Sequence, residues 1–127
     1  MQIDHVALYV RDLEAARDFF LRYCGATANE GYHNPKTGLR TYFLTFENHA
    51  RLELMTRPEM TNRDPAVCQT GYCHLAFHTG SRDAVDALTD RLRADGFAVV
   101  SGPRVTGDGY YESCVRGPEG CLLELTV

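Results

Sequence analysis

The sequence repeats itself, and a repeat constrains the fold more than any local propensity does. Near the start, Asp4-His5-Val6-Ala7-Leu8 sets a histidine ahead of an alternating apolar row made of Val6, Leu8 and Val10. Tyr72-Cys73-His74-Leu75-Ala76-Phe77-His78 writes the pattern again, with His74, Ala76 and His78 on one strand face and Cys73, Leu75 and Phe77 on the other. Each half also closes alike, with a lone glutamate between leucines: Leu52-Glu53-Leu54 and Leu123-Glu124-Leu125. His5 to Glu53 is 48 residues and His74 to Glu124 is 50, a difference one loop absorbs.

Between these landmarks the order of elements is the same. Residues 2–10 read as a strand, and Asp12 is a plausible N-cap for a helix whose apolar positions are Leu13, Ala16, Phe20 and Tyr23. Gly25 stands where a left-handed residue ends a helix. Strands follow over 26–32, 39–47 and 50–56, with turns at Asn34-Pro35-Lys36-Thr37-Gly38 and Glu47-Asn48-His49. In the second half a strand over 72–79 precedes a helix capped by Ser81, with Ala84, Val85, Leu88 and Leu92 as its stripe and Asp95-Gly96 as its end. Strands then follow over 97–101, 110–116 and 121–126, separated by turns at Gly102-Pro103, Gly107-Asp108-Gly109 and Gly117-Pro118-Glu119-Gly120. Each half is β-α-β-β-β. The expected organisation is one α+β domain over 1–127, with module one at 1–57, a polar linker at 58–70 carrying Pro58 and Pro65, and module two at 71–127.

Bulk properties exclude several classes. A net charge of −4 argues against a nucleic-acid binder, which usually shows a basic face. No apolar run approaches the roughly 20 residues that span a bilayer, and the first residues carry no basic, signal-like region. The five cysteines, Cys24, Cys68, Cys73, Cys114 and Cys121, are odd in number and include no Cys-x-x-Cys pair. They read as small apolar residues in a reducing compartment rather than as a disulfide or zinc framework. The location expected on these grounds is cytoplasmic.

Face parity points to the chemistry. The helix of each half needs an apolar sheet face to pack on, so Leu52 and Leu54, and Leu123 and Leu125, turn toward it. His5, Glu53, His74 and Glu124 then turn away from it. Two half-sheets facing one another would gather two imidazoles and two carboxylates, a donor set suited to a divalent first-row metal such as nickel, cobalt, iron, manganese or zinc. Four protein donors on an octahedral ion leave two positions for a substrate, as in a catalytic rather than a closed structural site. His33 and His49 fall in or beside turns and read as solvated. His78 shares the His74 face, has no repeat mate because Tyr9 occupies that place, and is a candidate pocket residue.

These residues carry a family resemblance over essentially the whole chain. Asp4 to Leu13, Tyr72 to Phe77 and Gly117-Pro118-Glu119-Gly120-Cys121-Leu122-Leu123-Glu124-Leu125 resemble the vicinal oxygen chelate superfamily of glyoxalases, bleomycin-resistance proteins and extradiol dioxygenases. Gly117 and Cys121 replace the usual Asp and Asn of its closing motif. The resemblance is nearest to short bacterial glyoxalase-I-like (lactoylglutathione-lyase-like) proteins, and implies paired βαβββ modules forming a metal cup, with His5, Glu53, His74 and Glu124 as ligands. It implies a lyase or isomerase reaction in which a metal-held enediolate forms and a carboxylate moves a proton between adjacent carbons. Glu124 is the first candidate for that base and Glu53 the second. Nickel or cobalt is favoured over zinc by the same resemblance. Other branches offer thiol transfer, epimerisation, dioxygenation, or ligand sequestration without a metal set.

Two departures bear on the substrate. Tyr9 stands where glyoxalase I enzymes usually have Arg, and Arg57 where they usually have Asn, so glutathione as the thiol cosubstrate is not assured by the resemblance. Thr106 to Ser113 reads as a pocket wall in which turn glycines deliver Tyr110 and Tyr111, one of them facing the cup. Arg40 and Tyr42 share a strand face and are candidates for meeting a substrate anion. Members of this size usually dimerise, and unpaired strand edges favour it; a homodimer acting on a small molecule is the expected assembly.

Overall fold

Both helices begin and end where their capping residues stand. In the computed structural model, which describes residues 2–61 and 70–127, helix α1 runs Leu13–Cys24. The Asp12 carboxylate accepts from the Ala15 N–H at 2.9 Å, and Gly25 takes the left-handed conformation that ends the helix. Helix α2 runs Arg82–Ala94, with the Ser81 hydroxyl accepting from the Ala84 N–H at 3.1 Å. No helix of the described residues is long and apolar enough to cross a membrane.

The chain divides into two compact units, residues 1–63 and 64–127. In the first, strands β1 (Val6–Tyr9), β2 (Thr27–Ala28), β3 (Tyr32–His33), β4 (Arg40–Thr45) and β5 (Arg51–Thr56) form one sheet in the order β1-β5-β4-β2, with β3 also on β4. The first and last strands are parallel neighbours, Val6 opposite Leu52 and Ala7 opposite Glu53. Helix α1 covers one face of β4 and β5. Phe20, Leu44, Leu52, Leu54 and Val10 are buried together with the α1 stripe.

The second unit repeats this topology. Strands β6 (His74–His78), β7 (Val99–Val105), β8 (Tyr111–Arg116) and β9 (Leu122–Thr126) run β6-β9-β8-β7, again with first and last parallel. Its core is Val85, Leu92, Val115, Leu123 and Leu125. Thr89 joins the buried stripe, its hydroxyl donating to the Val85 carbonyl at 2.6 Å and meeting the Ser113 hydroxyl. Sharing a hydroxyl pair satisfies both groups without water.

Three boundaries differ from the sequence reading. The strand expected over 26–32 is two short pieces, because Asn29 and Gly31 make a turn between them: the Asn29 side chain accepts from the Gly31 N–H at 3.2 Å and the Phe43 N–H at 2.9 Å. The first strand is only Val6–Tyr9, so His5 sits just before it. Gly102-Pro103 does not end the seventh strand. It forms an irregularity within β7, where the register against β8 shifts. Most of the linker expected over 58–70, namely 62–69, lies outside the described residues.

Candidate metal-donor pairs

The alternation in β5 sends Leu52 and Leu54 into the core and leaves Glu53 on the opposite face, half-covered. His5 reaches it from just ahead of the neighbouring parallel strand, placing Nε2 3.6 Å from Glu53 Oε2. Unit two builds the same pair. Leu123 and Leu125 are buried, Glu124 faces away from α2, and His74 Nε2 lies 3.6 Å from Glu124 Oε2. The register is identical: each glutamate opposes the residue two beyond its histidine, Ala7 in one case and Ala76 in the other.

Neither pair is a tight ion pair, since 3.6 Å exceeds hydrogen-bond contact. Two donors bound at about 2.0–2.1 Å to one ion sit about 2.8–3.0 Å apart if it is octahedral and about 3.3–3.4 Å if tetrahedral, so each pair would need to close by a few tenths of an ångström or more to share one. The carboxylates are partly shielded, with side-chain exposures of 16% for Glu53 and 19% for Glu124, while each histidine keeps an exposed edge. An imidazole and a carboxylate are donors that suit a divalent first-row metal.

The surroundings of the pairs are not alike. In unit one the His5 ring meets Phe43 edge-on at 5.2 Å, and the Arg51 guanidinium lies over the same Phe43 ring at 4.5 Å. Arg51 also binds Asp4 at 3.0 Å, and His5 Nδ1–H donates to Asp4 at 2.8 Å. These contacts hold the Asp4 carboxyl below its usual pKa, the His5 hydrogen bond being the larger cause. In unit two Cys114 occupies the place of Phe43, opposite Glu124 as Phe43 is opposite Glu53. Donor atoms of Glu112, Cys114 and Glu124 lie within 4.8 Å of one another, and Arg104 approaches Glu112 at 3.6 Å. Burial raises the Cys114 thiol pKa; a Ser101 hydrogen bond opposes this, and Glu112 and Glu124 add to it. Sequence reading passed over Glu112 and Cys114, although alternation along Glu112-Ser113-Cys114 places both on the Glu124 face.

The remaining candidates separate by face. Tyr9 is exposed and lies on the His5 face opposite Met55, near Arg57, which binds Glu59 at 3.0 Å. His78 ends β6 on the His74 face and is exposed. Tyr110 is exposed on the turn before β8. Two expectations are corrected. Arg40 is on the helix side of β4, bound to Glu14 of α1 at 2.6 Å beside Tyr42, because residues 40, 42 and 44 alternate inward with Leu44. Tyr111 likewise turns toward α2, donating to Asp86 at 2.6 Å under the Arg82 guanidinium.

Comparisons with known proteins agree with this fold. The family model described as Glyoxalase/Bleomycin resistance protein/Dioxygenase superfamily matches residues 2–125. The chain belongs to this superfamily. It is 32% identical over 127 residues to an uncharacterized Bacillus subtilis protein, YqjT, covering 95% of this chain and 94% of that one. Among solved structures it resembles a possible glyoxalase from Bacillus cereus, at 27% identity and TM-score 0.72, over 100% and 99% of the two chains. The trypanothione-dependent glyoxalase I of Leishmania major shares the fold, with TM-score 0.78 at 19% identity over 99% of this chain and 86% of that one.

Proposed function

We propose that this superfamily member is a metal-dependent lyase or isomerase of the glyoxalase I type, acting on a small substrate with two adjacent oxygens. The observation that carries the reading is the repeated pair: a histidine nitrogen and a glutamate oxygen 3.6 Å apart in both units, in the same register. His5, Glu53, His74 and Glu124 would hold one divalent ion, with nickel or cobalt ahead of zinc. When bound, such an ion supplies a Lewis acid that polarises oxygen and stabilises developing negative charge.

The chain's own residues supply the proton chemistry. A carboxylate on a sheet face, partly shielded and beside an imidazole, can take a proton from one carbon and return it to its neighbour. Glu124 is the first candidate for this step, with Glu53 the alternative. Tyr9 and Arg57 border the unit-one pair and would contact the part of the substrate away from the reacting carbons. Tyr110 and His78 are the corresponding candidates in unit two. The hemithioacetal of methylglyoxal and glutathione is the first substrate to test, and the protein is proposed to work as a cytoplasmic homodimer.

The test is metal content of untagged protein, compared with Glu53→Ala and His74→Ala, followed by a glyoxalase assay reconstituted with nickel, cobalt and zinc. About one ion per chain, lost in both variants, with activity abolished by Glu124→Gln, supports the reading. Protein that takes up no divalent ion refutes it. Tyr9 and Arg57, both departures from the glyoxalase I pattern, favour a second reading in which the same metal chemistry serves another substrate. Metal uptake without hemithioacetal turnover would select it, and product analysis would then separate thiol transfer, epimerisation and dioxygenation. Tight binding of an aromatic ligand by metal-free protein would instead indicate sequestration.

A further inference from the structure

The two histidines occupy equivalent places in the repeat but are not equivalently held. An ionised carboxylate only accepts hydrogen bonds, so Asp4 at 2.8 Å requires the proton of a neutral His5 ring to sit on Nδ1. That leaves the Nε2 lone pair facing Glu53 Oε2. Asp4 is itself fixed by Arg51 at 3.0 Å; Arg51 lies on Phe43, and Phe43 meets the His5 ring edge-on. The four side chains form a closed circuit around the imidazole. In unit two the residue before the histidine is Cys73, which offers no carboxylate, and Phe43 is replaced by Cys114. Among the described residues, the recorded polar contact of His74 is with Glu124 alone.

We infer that Asp4 is a positioning residue for His5: it sets the Nδ1–H tautomer and the ring plane so that Nε2 is aimed beside Glu53 before any ion arrives, while His74 has no such partner among the described residues. The inference rests on the reading of His5 and Glu53 as metal donors. A histidine whose second nitrogen donates to a carboxylate is a more basic and better oriented ligand. The unit-one pair is therefore the preset half of the donor set. The unit-two pair has the same spacing, but among the described residues no carboxylate fixes the tautomer of its histidine.

The experiment uses full-length, metal-free protein with isotope-labelled histidine. Long-range proton–nitrogen spectra at about pH 8, where imidazoles are neutral, show which ring nitrogen carries the proton. His5 should show the Nδ1–H form in the wild type and revert in Asp4→Ala to the Nε2–H form that free imidazole side chains prefer. His74 should show the Nε2–H form in both proteins. Cobalt titration should give a roughly tenfold weaker affinity for Asp4→Ala, at the low end of what outer-shell losses cost because Asp4 is exposed, and no change for the repeat-equivalent Cys73→Ala. An Nε2–H His5 in the wild type, or a His5 unaffected by Asp4→Ala, overturns the inference whatever the metal does. Equal affinity losses for the two variants also overturn it. Tautomers as described in a protein that takes up no cobalt would instead refute the metal reading, and with it the purpose assigned to Asp4.

Discussion

Truncating adjacent leucines in the last strand tests the face assignment on which both donor pairs depend. Leu123 is 1% exposed and Leu125 1%, whereas Leu122, beside His74 in the sheet, is only partly covered. Leu123→Ala removes a fully buried side chain from beneath α2, and buried Leu→Ala changes cost about 2.7–5 kcal/mol. Taking about 3 kcal/mol, and an unfolding entropy of about 0.27 kcal/mol/K for a chain this long, the melting temperature should fall by about 11 °C. Leu122→Ala strips a side chain that is already partly in water and should cost about 1 kcal/mol, a fall of about 4 °C. Thermal unfolding followed by far-ultraviolet circular dichroism, in the presence of a chelator so that metal linkage does not contribute, measures both. Equal losses, or a larger one for Leu122→Ala, would refute the parity. Glu124 would then lie under the helix, and the pairing with His74 would have no structural basis.

The N-caps should each be worth about 1 kcal/mol, so Asp12→Ala and Ser81→Ala should lower urea midpoints by similar, modest amounts. Gly102→Ala should be far more damaging than Gly25→Ala although both residues have positive φ, because a Cβ at 102 would lie 2.4 Å from the Glu112 carbonyl oxygen whereas none of its neighbours approaches one at 25; soluble yield and melting temperature of the two variants decide it. Burial pushes the Cys121 thiol up to about 11, so near pH 8 it should resist alkylation in the folded protein while exposed Cys73 reacts. A thiol whose pKa is raised by folding stabilises the native state fully below its unfolded value near 9.0, and that contribution is lost as pH climbs through 11. Stability in wild type should therefore fall more steeply over this window than in Cys121→Ala.

The sequence was most readable where one residue type has one physical role. Asp12, Gly25 and Ser81 announce helix ends because few other residues satisfy those backbone groups, and the leucines flanking Glu53 and Glu124 announce parity because the period of a strand is two. Reading failed where tertiary contact overrides local rules. Gly102-Pro103 looks like a strand end, yet the close approach of Gly102 to the β8 backbone makes it an irregularity within a longer strand. Arg40 looks like a pocket residue because it shares a strand face with Tyr42, and Tyr111 because it follows a glycine turn; neither signal reveals that Glu14 and Asp86 wait on the helices above them. Thr89 shows the reverse case, a polar residue that is buried because Ser113 lies opposite. At the site, the histidine–glutamate pairing followed from the repeat. The circuit around His5 did not, because it needs the distance between Asp4 and Arg51, 47 positions apart.

In each unit the strand that starts the module ends up beside the strand that finishes it. A growing or refolding chain therefore presents His5 long before Glu53 exists as its neighbour, and His74 long before Glu124. Joining the two requires closing a loop of about 50 residues, an entropic step that only the finished sheet rewards. Until then an imidazole stands alone and holds metal poorly. An ion cannot template either half of this protein; it can only recognise one already completed, so metal uptake during refolding should lag behind sheet formation and serve as a clock for it.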